Sequence, residues 1–295
     1  MSGEASAAAA SEIRIRNAVP ADAEICGPIL YEAFATINRN HGFPPELPSG
    51  ESGAEILGML FSHPGFYGFV AESGGRIVGS NCLDERSSIV GLGPITVDPK
   101  AQKQGIGRAL MMAALERVRE RNAPGVRLVQ SAFHNRSLSL YAKLGFQARE
   151  PLSVMEGKLD GVAAEGCKVR TAGDADAAVC NRLCRETHGH DRAGELTDGL
   201  AQGSVLVVER EGRITGYACG FGYFGHAVGE TNPDIQALLI EANHVTGPGI
   251  LIPTRNAELF AWCLTHGMRV FQPMTLMTIG QYQEPRGAYL PSVLY

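Results

Sequence analysis

The residues Gln102-Lys103-Gln104-Gly105-Ile106-Gly107-Arg108 carry the most specific chemical signal in the sequence. They follow an apolar, largely β-branched run at residues 89–97, which predicts a central strand ended by Asp98-Pro99. Pro94 has no N–H for a ladder, so a bulge or splay is expected beside it. After the glycines, Ile106, Leu110, Ala114 and Val118 recur on one helical face, until Asn122, Pro124 and Gly125 stop the pattern. A strand, a short glycine turn and a helix N-terminus together make an anion site. Free N–H groups point outward, and the helix dipole adds about 0.3–1 kcal/mol per anionic group. Glycine lets the backbone approach a phosphate closely, and Lys100, Lys103 and Arg108 add positive charge. The Gly-x-Gly-x-x-Gly fingerprint fails because Leu110 stands at its third glycine, and Gly-x-x-x-x-Gly-Lys-[Ser/Thr] does not occur. A short glycine turn can also be purely structural.

A second segment follows the apolar run at residues 126–130. His134-Asn135-Arg136-Ser137-Leu138-Ser139-Leu140-Tyr141-Ala142-Lys143-Leu144-Gly145-Phe146 reads as a helix closed by a glycine suited to a left-handed C-terminus. Gln-x-x-Gly-x-Gly after Val-Asp-Pro, with this helix downstream, resembles the GNAT superfamily of N-acetyltransferases over about residues 13–157. There the second motif reads Asn-x-x-Ala-x-x-Leu-Tyr-x-x-Leu-Gly-Phe. One departure stands out: where the family usually has Asn, this chain has His134, with Asn135 beside it, so either is a candidate for the pantetheine contact.

The resemblance implies binding of acetyl-CoA and direct passage of the acetyl group to a primary amine. It places the pyrophosphate on the backbone N–H groups of Gln102, Lys103, Gln104, Gly105, Ile106, Gly107 and Arg108. The pantetheine arm would run along Ile95, Thr96 and Val97 like an added strand, with His134, Asn135 and Ser137 nearby. The N–H of Val97 would polarise the thioester carbonyl, and Tyr141 would protonate the departing thiolate; its plainer role is that of a packed helix tyrosine. An alkyl amine with a pKa near ~10 arrives as ammonium, so a proton acceptor is needed, typically worth about 10²–10⁴-fold. Asp84 and Glu85 are the nearest carboxylates before the reacting strand. Glu85 is the candidate base, and a solvated turn carboxylate is the alternative. Residues 37–65, rich in polar residues, Pro and Gly, correspond to the region that often shapes the acceptor pocket in this family.

The elements that must position these groups occur twice. Arg14-Ile15-Arg16-Asn17-Ala18 with Ala21-Asp22-Ala23 resembles Lys168-Val169-Arg170-Thr171-Ala172 with Ala175-Asp176-Ala177. Gly75-Arg76-Ile77-Val78-Gly79 matches Gly212-Arg213-Ile214-Thr215-Gly216, each inside a hairpin signature. Pro151-Leu152-Ser153-Val154-Met155 matches Pro273-Met274-Thr275-Leu276-Met277. The three offsets shrink from about 154 to 137 to 122 residues, so the second copy is shorter in two places, including the glycine-loop segment. The expected fold is α/β (α+β): two tandem GNAT-like domains, each a mixed, mostly antiparallel twisted sheet flanked by helices. A disordered tail is expected over residues 1–12, a catalytic domain over 13–157, a linker over 158–166 and a degenerate GNAT-like domain over 167–295.

In the second copy, aligning Gly267 with Gly145 puts Cys263 at the Tyr141 position and Asn256 at the His134 position. Glu230-Thr231-Asn232-Pro233-Asp234 replaces the glycine loop, and two acids there repel a phosphate. No second acetyl-CoA is expected, and Cys263 reads as a buried thiol. The seven cysteines show no Cys-x-x-Cys pair or disulfide framework. Cys180, Cys184, His188, His190 and Asp191 could bind metal, but buried helix cysteines beside a polar loop are the expected outcome, so no metal is assigned. With 295 residues, 44% hydrophobic, 19% charged and a net charge of −5, the chain is expected to be a cytoplasmic monomer or homodimer. No broad nucleic-acid footprint and no membrane span is expected. Its partners would be acetyl-CoA and a small amine or peptide acceptor. The functional alternative is an acetyl-CoA-binding sensor or scaffold with decayed catalysis.

Overall fold

A computed structural model describes residues 12–242 and 245–294; the tail expected at the N-terminus lies, up to Ser11, outside the described residues. The first half opens with β1 (Ile13–Asn17), then α1 (Ala23–Asn40) and α2 (Gly50–Ser62). The hairpin of β2 (Phe66–Ser73) and β3 (Arg76–Asp84) follows, turning at Gly74 and Gly75, both at positive φ as a tight hairpin turn needs. Helix α2 was not legible within its polar stretch. Ser49 caps it by accepting the Ser52 N–H, and Leu57 and Leu60 bury against Leu30 of α1. The two helices come so close that a Cβ on Gly27 would run into the Ala54 backbone.

The single strand expected over residues 89–97 is two. β4 (Ile89–Leu92) runs parallel to β6 (Gly125–Ser131), paired from Ile89 opposite Gly125 to Gly91 opposite Arg127. β5 (Thr96–Val97) pairs with β3 instead. Around Pro94 the strands therefore part, and the far end of β6 leaves β4. α3 (Ile106–Glu120) lays Leu110, Met111, Ala114 and Val118 on the sheet face formed by Val90, Leu92, Val126 and Leu128. The fully buried Leu110 and Met111 each contribute about 1.5–3 kcal/mol. α4 (Asn135–Lys143) and β7 (Gln147–Glu156) complete the half.

The second half repeats the plan: β8 (Lys168–Thr171), α5 (Ala177–His188), α6 (Ala193–Ala201), β9 (Val205–Arg210), β10 (Arg213–Cys219) and β11 (Ala227–Gly229). Then come α7 (Asn232–Ala242), β12 (Ile250–Pro253), α8 (Ala257–Thr265), β13 (Arg269–Gly280) and β14 (Ala288–Leu290). The repeat extends to individual bonds. Arg16 holds Asp22 at 2.7 and 2.9 Å and Glu72 at 2.7 Å; Arg170 holds Asp176 at 2.7 and 3.0 Å and Glu209 at 2.8 Å.

The halves exchange their last long strands. The large sheet runs β1-β2-β3-β4-β6-β13-β7-β12, so β13 lies between β6 and β7, while β7 pairs with β12 on its other side. The smaller sheet runs β14-β11-β10-β9-β8. Among the described residues, no helix is long and apolar enough to cross a membrane.

Candidate active site

The glycine loop forms the mouth of a cleft. Gly105 takes a left-handed conformation, φ +86°, immediately before α3, and no side chain caps the helix there. The first intrahelical bond of α3 runs from Ala109 N–H to Gly105 O at 3.0 Å, so the N–H groups of Ile106, Gly107 and Arg108 have no partner within the helix. No acid stands in the first turn. Lys103, Arg108 and Arg136 line the cleft, and Arg136 donates to Gln102 Oε1 at 2.9 Å. Open donors and a helix dipole with three cations can take a polyphosphate.

Behind the mouth, the cleft of about 600 Å³ occupies the gap where β4 and β6 part. Asp98 N–H donates to Val78 O at 2.8 Å, and Val97 stands opposite Gly79. An antiparallel ladder alternates its bonds, so the N–H of Val97 faces away from β3, towards the cleft. Ile95, Thr96, His134, Ser137 and Tyr141 line the same space. Tyr141 is only 7% exposed, and burial raises its hydroxyl pKa, so it holds its proton. Burial, with Arg136 and His41 nearby, lowers the pKa of His134, which stays neutral. Ser137 Oγ lies 3.1 Å from Gln130 Oε1, and the Gln130 amide nitrogen, in a side chain 5% exposed, has no hydrogen-bond partner.

The structure does not bring every expected residue here. Gln104 and Asn135 are absent from the cleft wall. Glu85 is held by Arg117 at 2.9 Å and Arg121 at 3.0 Å, beside the far end of α3. At 1.5 Å per residue, Arg117 lies about 16 Å along the helix from the mouth, so Glu85 acts there as an ion-pair partner.

Four residues that sequence reasoning missed line or support the cleft, Gln130 beside Ser137 and Glu46, Gln272 and Tyr223 at its inner end. Glu46 comes from the segment between α1 and α2, and with Tyr223 it lines the cleft. Gln272 on β13 donates to Glu46 Oε1 at 2.7 Å and to the Tyr223 hydroxyl at 2.9 Å. Asn38 donates to Gln272 Oε1 at 3.2 Å and to Pro44 O at 2.8 Å. Burial pushes the Glu46 carboxyl up, while hydrogen bonds from Gln272, Asn38 and Tyr223 oppose the rise. The Pro and Gly content of this segment was the one available signal, and it identified a region without a residue.

The corresponding gap in the second half is filled. β14 pairs with β11, from Ala227 opposite Leu290 to Gly229 opposite Ala288, and packs on its other side against β12. At the start of α7, Asp234 accepts the Thr231 N–H at 2.9 Å and holds Arg210 at 2.8 Å, so the chain itself supplies an anion. Cys263 is buried. Its match to Tyr141 is visible in the backbone: Phe146 N–H donates to Tyr141 O and Met268 N–H to Cys263 O, both at 3.0 Å. Among the described residues, no group of three or more His, Cys, Asp or Glu is placed to hold a metal ion.

Residues 31–146 match the acetyltransferase (GNAT) family. A mycothiol acetyltransferase of Thermomonospora curvata is 35% identical over 79 residues, which is 26% of this chain and 27% of that relative. The chain thus matches about a quarter of the length of this curated relative. A solved structure from Pyrococcus horikoshii aligns over 98% of both chains at 19% identity, with a TM-score of 0.68. A tandem GNAT protein from the clavulanic acid biosynthesis pathway aligns over 91% of this chain and 98% of its own, at 17% identity and a TM-score of 0.54. Residues 31–146 thus match the acetyltransferase (GNAT) family, and the chain as a whole shares the fold of a tandem GNAT protein.

Proposed function

We propose that the chain transfers an acetyl group from acetyl-CoA to a primary amine in the cleft of its first half. The observation that carries this reading is one continuous cleft joining the open N-terminus of α3, the outward N–H of Val97 and the buried, protonated Tyr141. Acetyl-CoA would supply a thioester carbonyl open to attack and a thiol leaving group. The N–H groups of Ile106, Gly107 and Arg108, with Lys103, Arg108 and Arg136, would hold its pyrophosphate. Ile95, Thr96 and Val97 would pair with its pantetheine arm, and His134, Ser137 and Gln130 would flank it. The N–H of Val97 stabilises negative charge on the carbonyl oxygen without reorganising. As the nitrogen–carbonyl bond forms and the carbon–sulfur bond breaks, Tyr141 gives its proton to the departing sulfur; the amine's protons pass to water, one of them restoring Tyr141. The catalytic unit in this reading is residues 13–157 completed by β13, and the second half is a divergent copy that walls the acceptor end through Tyr223, Phe224 and Met274.

The experiment is thiol release from acetyl-CoA by the full chain, against a panel of amines, amino acids, polyamines, aminoglycosides and peptides. Release with at least one primary amine is expected. Tight acetyl-CoA binding with no release from any acceptor would reject transfer.

A further inference from the structure

The charged residues lining the cleft are sorted by sign. Its cations Lys103, Arg108 and Arg136 belong to the glycine loop, α3 and α4, whereas Glu46 is its sole carboxylate among the described residues. Glu46 sits at the inner end, where β13 runs on past β6: Met274 pairs with Ser131, the last residue of β6, and Gln272 lies two residues further. The walls there are apolar, formed by Leu30, Phe34, Ile37, Leu47, Phe224 and Met274. The segment bearing Glu46 is pinned from both sides. Phe43 stacks on Phe133 with ring centroids 4.4 Å apart, and Asn38 holds Pro44 O.

Among the described residues, no Lys, Arg or His forms an ion pair with Glu46; its hydrogen bond to Gln272 comes from a neutral amide. A carboxylate drawn partly out of water without a counter-charge is disfavoured, and the fold pairs its buried glutamates: Glu150 with Arg255 and Glu195 with Arg192. An arriving cation relieves that cost, and an arriving anion meets repulsion in a low-dielectric pocket with no cation to receive it. Nearer the path of the pantetheine arm, the amide nitrogen of Gln130 has no partner and can donate to a carbonyl oxygen.

We propose that this inner end is the acceptor subsite, that it selects an amine on an apolar body bearing no carboxylate or phosphate, and that Glu46 is the counter-ion of its ammonium. The assignment rests on the acyl-transfer reading only for the word acceptor. Both halves build the subsite, since Glu46 comes from the first and Gln272 and Tyr223 from the second.

The test is direct binding to the full chain in the presence of saturating coenzyme A, using three matched probes. 2-Phenylethylamine carries the ammonium, L-phenylalanine adds a carboxylate, and 2-phenylethanol removes the charge. The amine is expected to bind at least about tenfold more tightly than either, and Glu46→Gln to erase most of that preference while coenzyme A affinity holds. Equal or tighter binding of phenylalanine, or equal binding of the alcohol, overturns the proposal in the wild-type protein, whatever the variant's folding. Retained amine preference in a folded Glu46→Gln chain also overturns it. Thiol release with carboxylate-bearing amines alone sinks the subsite and leaves acyl transfer standing. Glu46-dependent amine preference without thiol release does the reverse.

Discussion

The two halves share a plan, down to an arginine latch on each first strand, yet among the described residues the strands part around an open cleft in the first half and are bridged by β14 in the second. In the first half, β4 and β6 part beyond Gly91 and Arg127, and the gap stays free. In the second half, β14 occupies the equivalent gap by pairing with β11. An N–H row that faces a cleft on one side of the molecule is satisfied by the chain's own strand on the other. The helix termini differ in the same sense. α3 begins at an uncapped left-handed glycine, while α7 begins on the buried carboxylate of Asp234. A cleft left open in one copy can thus be closed in the other by supplying a strand and an acid from within.

The largest expected effect lies at the matched pair Tyr141 and Cys263. Tyr141→Phe is expected to lower turnover by about 10²-fold or more, with acetyl-CoA affinity nearly unchanged. Cys263→Ala should leave turnover within about twofold. Steady-state thiol release checks both, and an active Tyr141→Phe would remove the tyrosine from proton transfer.

The latches give a smaller contrast, in stability. Arg16 and Arg170 hold Asp22 and Asp176 below the ordinary carboxylate value through their hydrogen bonds. Because the folded pKa is depressed, this stabilisation is complete above the unfolded value near 3.8 and is lost as pH falls below it. Replacement of Arg16 by Met is expected to cost about 1–2 kcal/mol near neutral pH, after allowance for solvent screening. Arg170→Met should cost less, because its side chain is 38% exposed against 30% for Arg16. Urea unfolding measures both, and an equal or reversed order would show that exposure does not set the difference.

A pH effect is concentrated in the second half. His188, His190 and His226 lie in the second half, and burial lowers the pKa of each, that of His190 to about 3. The unfolded chain binds protons below about 6.5 while these folded histidines stay neutral, so stability declines as pH falls from there towards 5. Thermal unfolding should show a falling midpoint over that range, and a flat profile would contradict the burial of these imidazoles.

Local signals carried the first half's glycine loop. The glycines, the helical face from Ile106 to Val118 and the Tyr141 motif all express short-range rules, and the structure gathers most of them around one cleft. The break in residues 89–97 was also legible, because Pro94 lacks an N–H. What escaped depends on long-range pairing. Nothing in residues 269–280 says that they insert between β6 and β7, since their alternation suits any sheet position. Nor does the sequence near Glu46 show that its carboxylate is half-buried and hydrogen-bonded, because that follows from Gln272 and Tyr223, more than a hundred residues away in the chain. Glu85 drew attention by sequence proximity, whereas in space it faces the wrong end of α3.

Calorimetric titration of the full chain with acetyl-CoA tests the central claim, one open cleft and one filled. One site per chain is expected, and Arg108→Glu should weaken it strongly. Two sites per chain, or a single site indifferent to that substitution, would contradict the assignment of the cleft to the first half.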